Sequence, residues 1–339
     1  MPLATDQHQP AGSTALNTRE RETADPPTTV SRSTDLIELL RPTHWIKNVV
    51  VFAAPAAGLK LSSPTALGQT LLAFVAFCLA SSSVYAINDA VDREADAKHP
   101  TKRHRPVARG AIRPLTAVLV AAVLIAVALL TTALLLNRGV TTVLAVYFGL
   151  TLAYTLALKR RVILDVIVVA LGFVLRAWAG ALAVGVPASD WLMACVFTLC
   201  LFMGFGKRRC EVVMLGNEED ARQHRRTLVR YTPDLLTHLI TVSAGIAVIT
   251  FLLYTLDTAG HPSPFHKEHL FFTLPIVVYG IFRFAMVTEL GLYSGPTEIV
   301  FRDRALMVAI IVWAACALVI AYQVPLFGPE GLTRFFVNK

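Results

Sequence analysis

The chain has 339 residues, of which 55% are hydrophobic and 16% charged, and its mean hydropathy is +0.58. Soluble domains average about a quarter charged residues, and here the apolar residues gather in blocks of about 20, the length that crosses a bilayer as helix. This excludes an ordinary soluble domain and marks an all-α polytopic membrane protein, and the net charge of +8 is the Lys and Arg excess of cytoplasmic loops rather than a sign of a nucleic-acid partner.

Residues 1–33 are rich in Thr, Ser, Pro, Asp and Arg and hold no apolar run. They read as a disordered cytoplasmic tail. No basic start precedes a short apolar core, so no cleavable signal peptide is expected. Residues 34–325 are expected to form the membrane domain, with nine spans near 45–59, 67–87, 114–136, 140–158, 162–184, 190–206, 236–256, 269–288 and 304–323. Residues 326–339 are expected to be a short extracytoplasmic tail. The first span is short and begins at Trp45, which reads as an interfacial anchor. The pattern DLIELL before it starts a helix near Asp35, which would cap it with Glu38 as the capping partner.

One set of alternate loops carries Arg93, Lys98, Lys102, Arg103, Arg105, Arg109 and Arg113, then Lys159, Arg160 and Arg161, then Lys207, Arg208 and Arg209. The other set holds few cations, so the first set is cytoplasmic. The N-terminus is then inside, the C-terminus outside, and the chain a multi-pass protein of the cell membrane. The five cysteines, Cys78, Cys195, Cys200, Cys210 and Cys316, include no C-x-x-C pair, which argues against a disulfide framework or a thiolate metal site.

The second span runs into AINDAVDREADAKHPTKRHRP. If its helix continues past Ile87, Asn88, Asp92 and Asp96 recur every four residues and share one face, bordered by Asp89. Like charges this close call for a neutralising cation. Carboxylates with positions left open for water and phosphate describe a Mg²⁺ site for a phosphorylated substrate. The alternative is a solvated charge run in which neighbouring acids and bases pair with each other.

The spacing N-D-x-x-D-x-x-x-D resembles the first aspartate-rich motif of the UbiA superfamily of intramembrane prenyltransferases. The resemblance implies a bundle of nine transmembrane helices with a cytoplasm-facing active site, in which Asn88, Asp89, Asp92 and Asp96 bind Mg²⁺ and through it a diphosphate. The segments LRPTHWIKNVVVFAAP (40–55), NDAVDREADAKHPTKRHRPVARG (88–110) and RRVILDVIVVALGFVLRAWAGA (160–181) look like the decaprenyl-phosphate phosphoribosyltransferase branch. That likeness implies inverting transfer of a 5-phosphoribosyl group from phosphoribosyl pyrophosphate to a polyprenyl phosphate, with release of pyrophosphate. It is a precursor step for cell-wall arabinan.

The sequence departs from typical members after the sixth span. A second aspartate-rich motif is expected there, and the chain reads GFGKRRCEVV. Lys207 and Arg208 with the single acid Glu211 suit a more anionic substrate set, because Arg and Lys bind phosphates directly. The other candidate phosphate contacts are Lys47 and Asn48, Lys102 and Arg105, and Lys159 with Arg161, each at a cytoplasmic helix end. Tyr154 could point its hydroxyl toward them. His99 and His104 read as phosphate-side or structural groups. Within the fifth span, Asp165 lies near enough to the cytoplasmic end to join the site, whereas Arg176 reads as a structural partner of another helix. Arg283, Glu289, Glu298 and Asp303 complete the site or brace its loops.

Two other readings are weighed. A prenyltransferase acting on an aromatic or quinone-like acceptor would carry a D-x-x-x-D cluster around 207–217, which is absent. A transporter would place polar groups at the membrane midplane, whereas here they gather at one face. The small residues of spans 3 to 5 suit either a lipid groove or close helix packing, and homo-oligomerisation is left open.

Overall fold

The structure, a computed structural model, describes residues 32–99, 102–215, 231–257 and 265–322. Both expected tails lie outside the described residues, apart from residues 32 and 33, which open the first helix. The helices are α1 (Arg32–Leu40), α2 (Ala53–Ala57), α3 (Pro64–Val91), α4 (Arg93–Ala97), α5 (Pro114–Leu135), α6 (Arg138–Leu156), α7 (Leu164–Ala183), α8 (Asp190–Leu215), α9 (Pro233–Leu256), α10 (Leu274–Glu289), α11 (Pro296–Arg302) and α12 (Arg304–Ala321). Among the described residues, 8 helical stretches are long and apolar enough to cross a membrane. They correspond to the second through ninth expected spans.

The expected first span has another form. Residues Pro42–Phe52 wind as a 3₁₀ helix and α2 follows directly. Pro42 is the reason α1 stops: proline disfavours the right-handed helical conformation in the residue before it, and Arg41 turns left-handed at φ 52 and ψ 60. Helix α1 itself begins before Asp35, so Asp35 is not the expected N-cap. Its carboxylate and that of Glu38 instead receive the Arg109 guanidinium.

The other ends follow ordinary rules. Pro64, Pro114 and Pro233 open their helices, where a missing N–H costs no intrahelical bond. Asn137 caps α6 by accepting from the Val140 N–H at 3.0 Å, and Asp303 caps α12 by accepting from the Leu306 N–H at 2.8 Å.

Two apolar clusters hold the bundle. One joins Phe77, Val140, Leu144 and Tyr147 to Val51 and the small residues of α7. The other joins Phe202 and Phe205 of α8 to Leu236, Ile281, Phe284, Val287 and Ile299. Lipid is as apolar as these side chains, so close packing rather than escape from water favours their contact. Gly180 marks the tightest place: a Cβ there would sit 1.8 Å from the Val51 carbonyl oxygen. At this point the small residues of α7 serve packing. Helix α5 lies at the outside of the bundle, with Leu115, Leu119, Val123, Leu130 and Leu134 exposed. The C-terminal ends of α3, α6 and α8 and the start of α7 meet at one end of the bundle, as the contacts below show.

Candidate active site

Helix α3 does continue past Ile87, the condition on which the shared face depended, so Asn88 and Asp89 occupy its last turn. It ends at Asp92, and α4 restarts with Asp96 in its first turn. The four residues therefore share one corner, but with a break at Asp92 rather than one unbroken helical face.

Each acid of this corner is met by a cation from elsewhere in the chain. Arg41 donates to Asp89 Oδ1 at 2.5 Å. Arg105 donates to the same oxygen at 3.2 Å and to Asp96 Oδ2 at 2.6 Å. Lys159 donates to Asp92 at 2.6 and 2.8 Å and to Asn88 Oδ1 at 3.3 Å. Asp89 and Asp96 are buried, and burial of a carboxylate is tolerated only where cations or hydrogen bonds meet it. The second oxygen of Asp89, Oδ2, is buried and has no hydrogen-bond partner among the described residues. Such a bare buried oxygen is costly and normally has a partner.

The end of α8 has the opposite composition. Arg208 is buried, with Nε 2.9 Å from Asp165 Oδ2 and its terminal nitrogen on Glu211. Lys207 is exposed, and its Nζ lies 3.8 Å from Glu211 Oε1. Asp165 is fully buried and accepts from the Tyr231 hydroxyl at 2.7 Å, while that hydroxyl accepts from the Ile163 N–H at 2.7 Å. Ile163 needs this support. At φ 69 and ψ −49, with the Leu164 N–H on the Val162 carbonyl at 2.8 Å, it forms a γ-turn that strains a β-branched residue.

The acidic and basic ends face each other. Lys102 is within electrostatic reach of Asp96, Asp92 and Glu211, and burial, followed by the charge of Arg105, holds its ammonium below the usual lysine range. A cation so placed gains from an added anion. Lys47 is within reach of Lys207, Arg176 and Arg41, and Tyr154 is within reach of Arg208 and Tyr85.

Two candidates sit apart from this meeting point. Arg161 is exposed, and among the described residues only its backbone takes part in hydrogen bonds. Asn48 is fully buried, with its amide nitrogen on Cys78 Sγ and Ser81 Oγ and its oxygen taking the Arg176 Nε at 2.7 Å. Arg176 also donates to the Tyr147 hydroxyl at 2.7 Å and the Gly172 carbonyl at 2.8 Å. It is the expected interhelical brace, though its partners are neutral. Trp45 donates its indole N–H to Ser82. Arg283–Asp303, Arg209–Glu289 and Arg302–Glu298 pair with each other and brace the loops. Arg41 and Tyr231 are not among the sequence candidates; the one local signal for Arg41 is its place immediately before Pro42.

The donor set of Asn88, Asp89, Asp92 and Asp96 is made of hard oxygens, the type Mg²⁺ prefers. The bare Oδ2 of Asp89 and the partly open Asp92 leave acceptor capacity for it. Among the described residues no three His, Cys, Asp or Glu side chains are already drawn together as a metal cage. The donors fit the ion in kind, with cations now held against them.

A model of the UbiA prenyltransferase family matches residues 49–293. The decaprenyl-phosphate phosphoribosyltransferase of Mycolicibacterium smegmatis is 35% identical over 315 residues, covering 88% of this chain and 96% of that protein. The protein of the same name from Corynebacterium glutamicum is 33% identical over 296 residues, covering 86% and 88%. A UbiA homolog from Archaeoglobus fulgidus, solved with DMAPP and Mg²⁺, superposes with a TM-score of 0.66 at 18% identity over 85% of this chain and 99% of its own. The family match takes in the acidic end of α3 and the basic end of α8 alike, and the chain belongs to the UbiA prenyltransferase family.

Proposed function

We propose that the chain is a Mg²⁺-dependent phosphoribosyltransferase that moves a 5-phosphoribosyl group from phosphoribosyl pyrophosphate to a polyprenyl phosphate, decaprenyl phosphate in particular. The observation that carries this reading is the placement of the basic end of α8, with Lys102 beside it, against the acidic end of α3. The curated relatives that span most of the chain bear the corresponding name. In this reading a phosphate oxygen of the lipid attacks the anomeric carbon as the C–O bond to pyrophosphate breaks. Pyrophosphate leaves with the electron pair, and the centre inverts from α to β.

Mg²⁺, when bound, neutralises charge growing on the leaving pyrophosphate. The chain's own residues do the rest. Asn88, Asp89, Asp92 and Asp96 hold the metal end of the donor. Lys102, Lys207, Lys47, Arg105 and Lys159 supply positive charge where two polyanions must approach each other, an encounter otherwise opposed by several kcal/mol in a low-dielectric site. Arg208 and Glu211 fix the end of α8, and Tyr154 lies beside them. No side chain need act as a general base, because the attacking phosphate is already ionised at pH 7. Product use in cell-wall arabinan assembly follows from the same reading.

The reading also covers topology. The 11 residues of 3₁₀ helix before α2 rise about 2.0 Å each. With the five α-helical residues of α2 at about 1.5 Å each, they reach roughly 30 Å, the thickness of the hydrocarbon core. Residues 42–57 thus act as the first of nine spans of a single catalytic domain over 34–325. The acidic end faces the cytoplasm with the N-terminus, and the C-terminus lies outside the cell membrane.

The test supplies purified protein with Mg²⁺ and labelled phosphoribosyl pyrophosphate, and compares a polyprenyl phosphate with the matching polyprenol. Label should enter the phosphate lipid only, with equimolar pyrophosphate release. Equal labelling of the polyprenol, or prenyl transfer from a prenyl diphosphate to an aromatic acid, would overturn the reading.

A further inference from the structure

Arg41 stands at a break in the chain, between α1 and the 3₁₀ helix, in the left-handed region where an arginine is strained. That backbone aims its guanidinium in two directions. It lies 5.2 Å from the centroid of the Tyr85 ring, and it reaches Asp89 Oδ1 at 2.5 Å. Arg105 already bonds that same oxygen and ties it to Asp96. Asp89 is 2% exposed, and it accepts from two guanidinium groups on one oxygen while the other has no hydrogen-bond partner among the described residues.

This lopsided arrangement separates the two arginines. Arg105 bridges two carboxylates and belongs to the fabric of the corner. Arg41 is the nearer of the two on Asp89 Oδ1, at 2.5 Å against 3.2 Å, and Asp89 is its one carboxylate partner among the described residues. A cation arriving at the bare Oδ2 would duplicate the charge of Arg41 and weaken its hold, and Tyr85 offers the guanidinium a nearby resting surface by cation–π attraction. A planar guanidinium released beside a metal-bound diphosphate has the geometry to take a phosphate by its fork.

We propose that Arg41 is an exchangeable counter-ion: it covers Asp89 while the acidic corner lacks metal, and turns to a phosphate of the incoming donor once Asp89 is engaged by metal. The metal half stands on the geometry of the corner alone, and the phosphate half rests on the donor proposed above. Two separate measurements therefore test it.

Mn²⁺ is titrated into the purified full-length protein without donor and followed by electron paramagnetic resonance. Donor affinity is then measured by calorimetry with phosphoribosyl pyrophosphate and Mg²⁺, without acceptor. Arg41→Gln should bind Mn²⁺ tighter by roughly tenfold, the scale of one charge-assisted hydrogen bond, and bind the donor weaker by about the same factor. The opposite signs are the signature, because a side chain that merely braces the fold would weaken both.

Arg41→Lys keeps the charge but loses the fork. It should hold Mn²⁺ within about twofold of the wild-type value while binding the donor several-fold more weakly, and it decides the matter if Arg41→Gln does not fold. Arg109→Gln removes a comparable arginine whose partners are Asp35 and Glu38, and should change neither affinity. Unchanged or weaker Mn²⁺ binding by Arg41→Gln, or tighter Mn²⁺ binding with unchanged donor affinity, overturns the proposal. If the wild-type protein binds Mn²⁺ but no phosphoribosyl pyrophosphate, the donor assignment fails. The phosphate half is then read with inorganic pyrophosphate, for which the same loss is expected.

Discussion

The ends of α3 and α8 are opposites in composition and in the state of their partners. At the end of α3, acids from one short stretch are met by Arg41, Arg105 and Lys159 from three other segments. At the end of α8, cations from one stretch are met by Asp165 of α7, Glu289 of α10 and their own neighbour Glu211. The acidic end keeps a bare buried oxygen on Asp89 and an accessible Asp92. The basic end spends its buried member: Arg208 lies between Asp165 and Glu211, while Lys207 is exposed with its Nζ 3.8 Å from Glu211. Residues with unspent valence are where a ligand can enter, and residues with every partner in place are scaffold. That criterion supports the proposed placement of the donor's metal end at α3, and it makes Arg208 part of the scaffold.

Breaking the locked end should have the largest effect. Arg208→Ala takes the guanidinium away from the fully buried Asp165 carboxylate, which also accepts from the Tyr231 hydroxyl. Removing one member of a buried ion pair costs on the order of 3–5 kcal/mol. A clear drop in the unfolding midpoint in detergent is expected, and a normal midpoint with a selective rise in donor KM would make Arg208 a substrate ligand instead.

The open end should respond the other way round. Asp92→Asn keeps shape and removes one anionic donor, so turnover should fall on the order of 10²-fold with the unfolding midpoint preserved. Pyrophosphate release at limiting Mg²⁺ measures it, and wild-type rates there would remove Asp92 from the metal site.

The smallest effect comes from a pair outside both ends, which sets the baseline for an ordinary brace. The Arg283 guanidinium, with the Leu306 N–H, holds the Asp303 carboxyl below its ordinary value of 3.8. Because the folded value is the lower one, the stabilisation is present above the unfolded value and is lost as pH falls through the folded value. The difference in unfolding midpoint between wild type and Arg283→Gln should therefore shrink from about pH 6 to about pH 3. A constant difference over that range would assign the brace to packing rather than charge.

Much of this was legible in the sequence, and the failures have physical causes. Eight membrane helices could be read from block length, since a bilayer imposes a length on every span. The continuation of α3 past Ile87 was legible because nothing in NDAV breaks a helix. The role of Arg176 was legible too, since a charge in mid-membrane needs neighbours. Sequence could not show that those neighbours are Asn48, Tyr147 and a carbonyl. Asn48 looked like a phosphate contact by its place beside Lys47, but its actual partners lie 30 or more residues away. The 3₁₀ winding of 42–52 was hidden because its residues have no local signature beyond Pro42. Arg41 was hidden because its importance lies in which oxygen of Asp89 it covers.

The contact between Gly180 and Val51 bears on how a long lipid reaches the site. A hydrogen on the glycine and a carbonyl oxygen already fill the gap that a single added carbon would overrun. A prenyl chain is wider than that carbon, so none can pass between Val51 and Gly180. The tail of any polyprenyl substrate must lie along some other seam of the bundle.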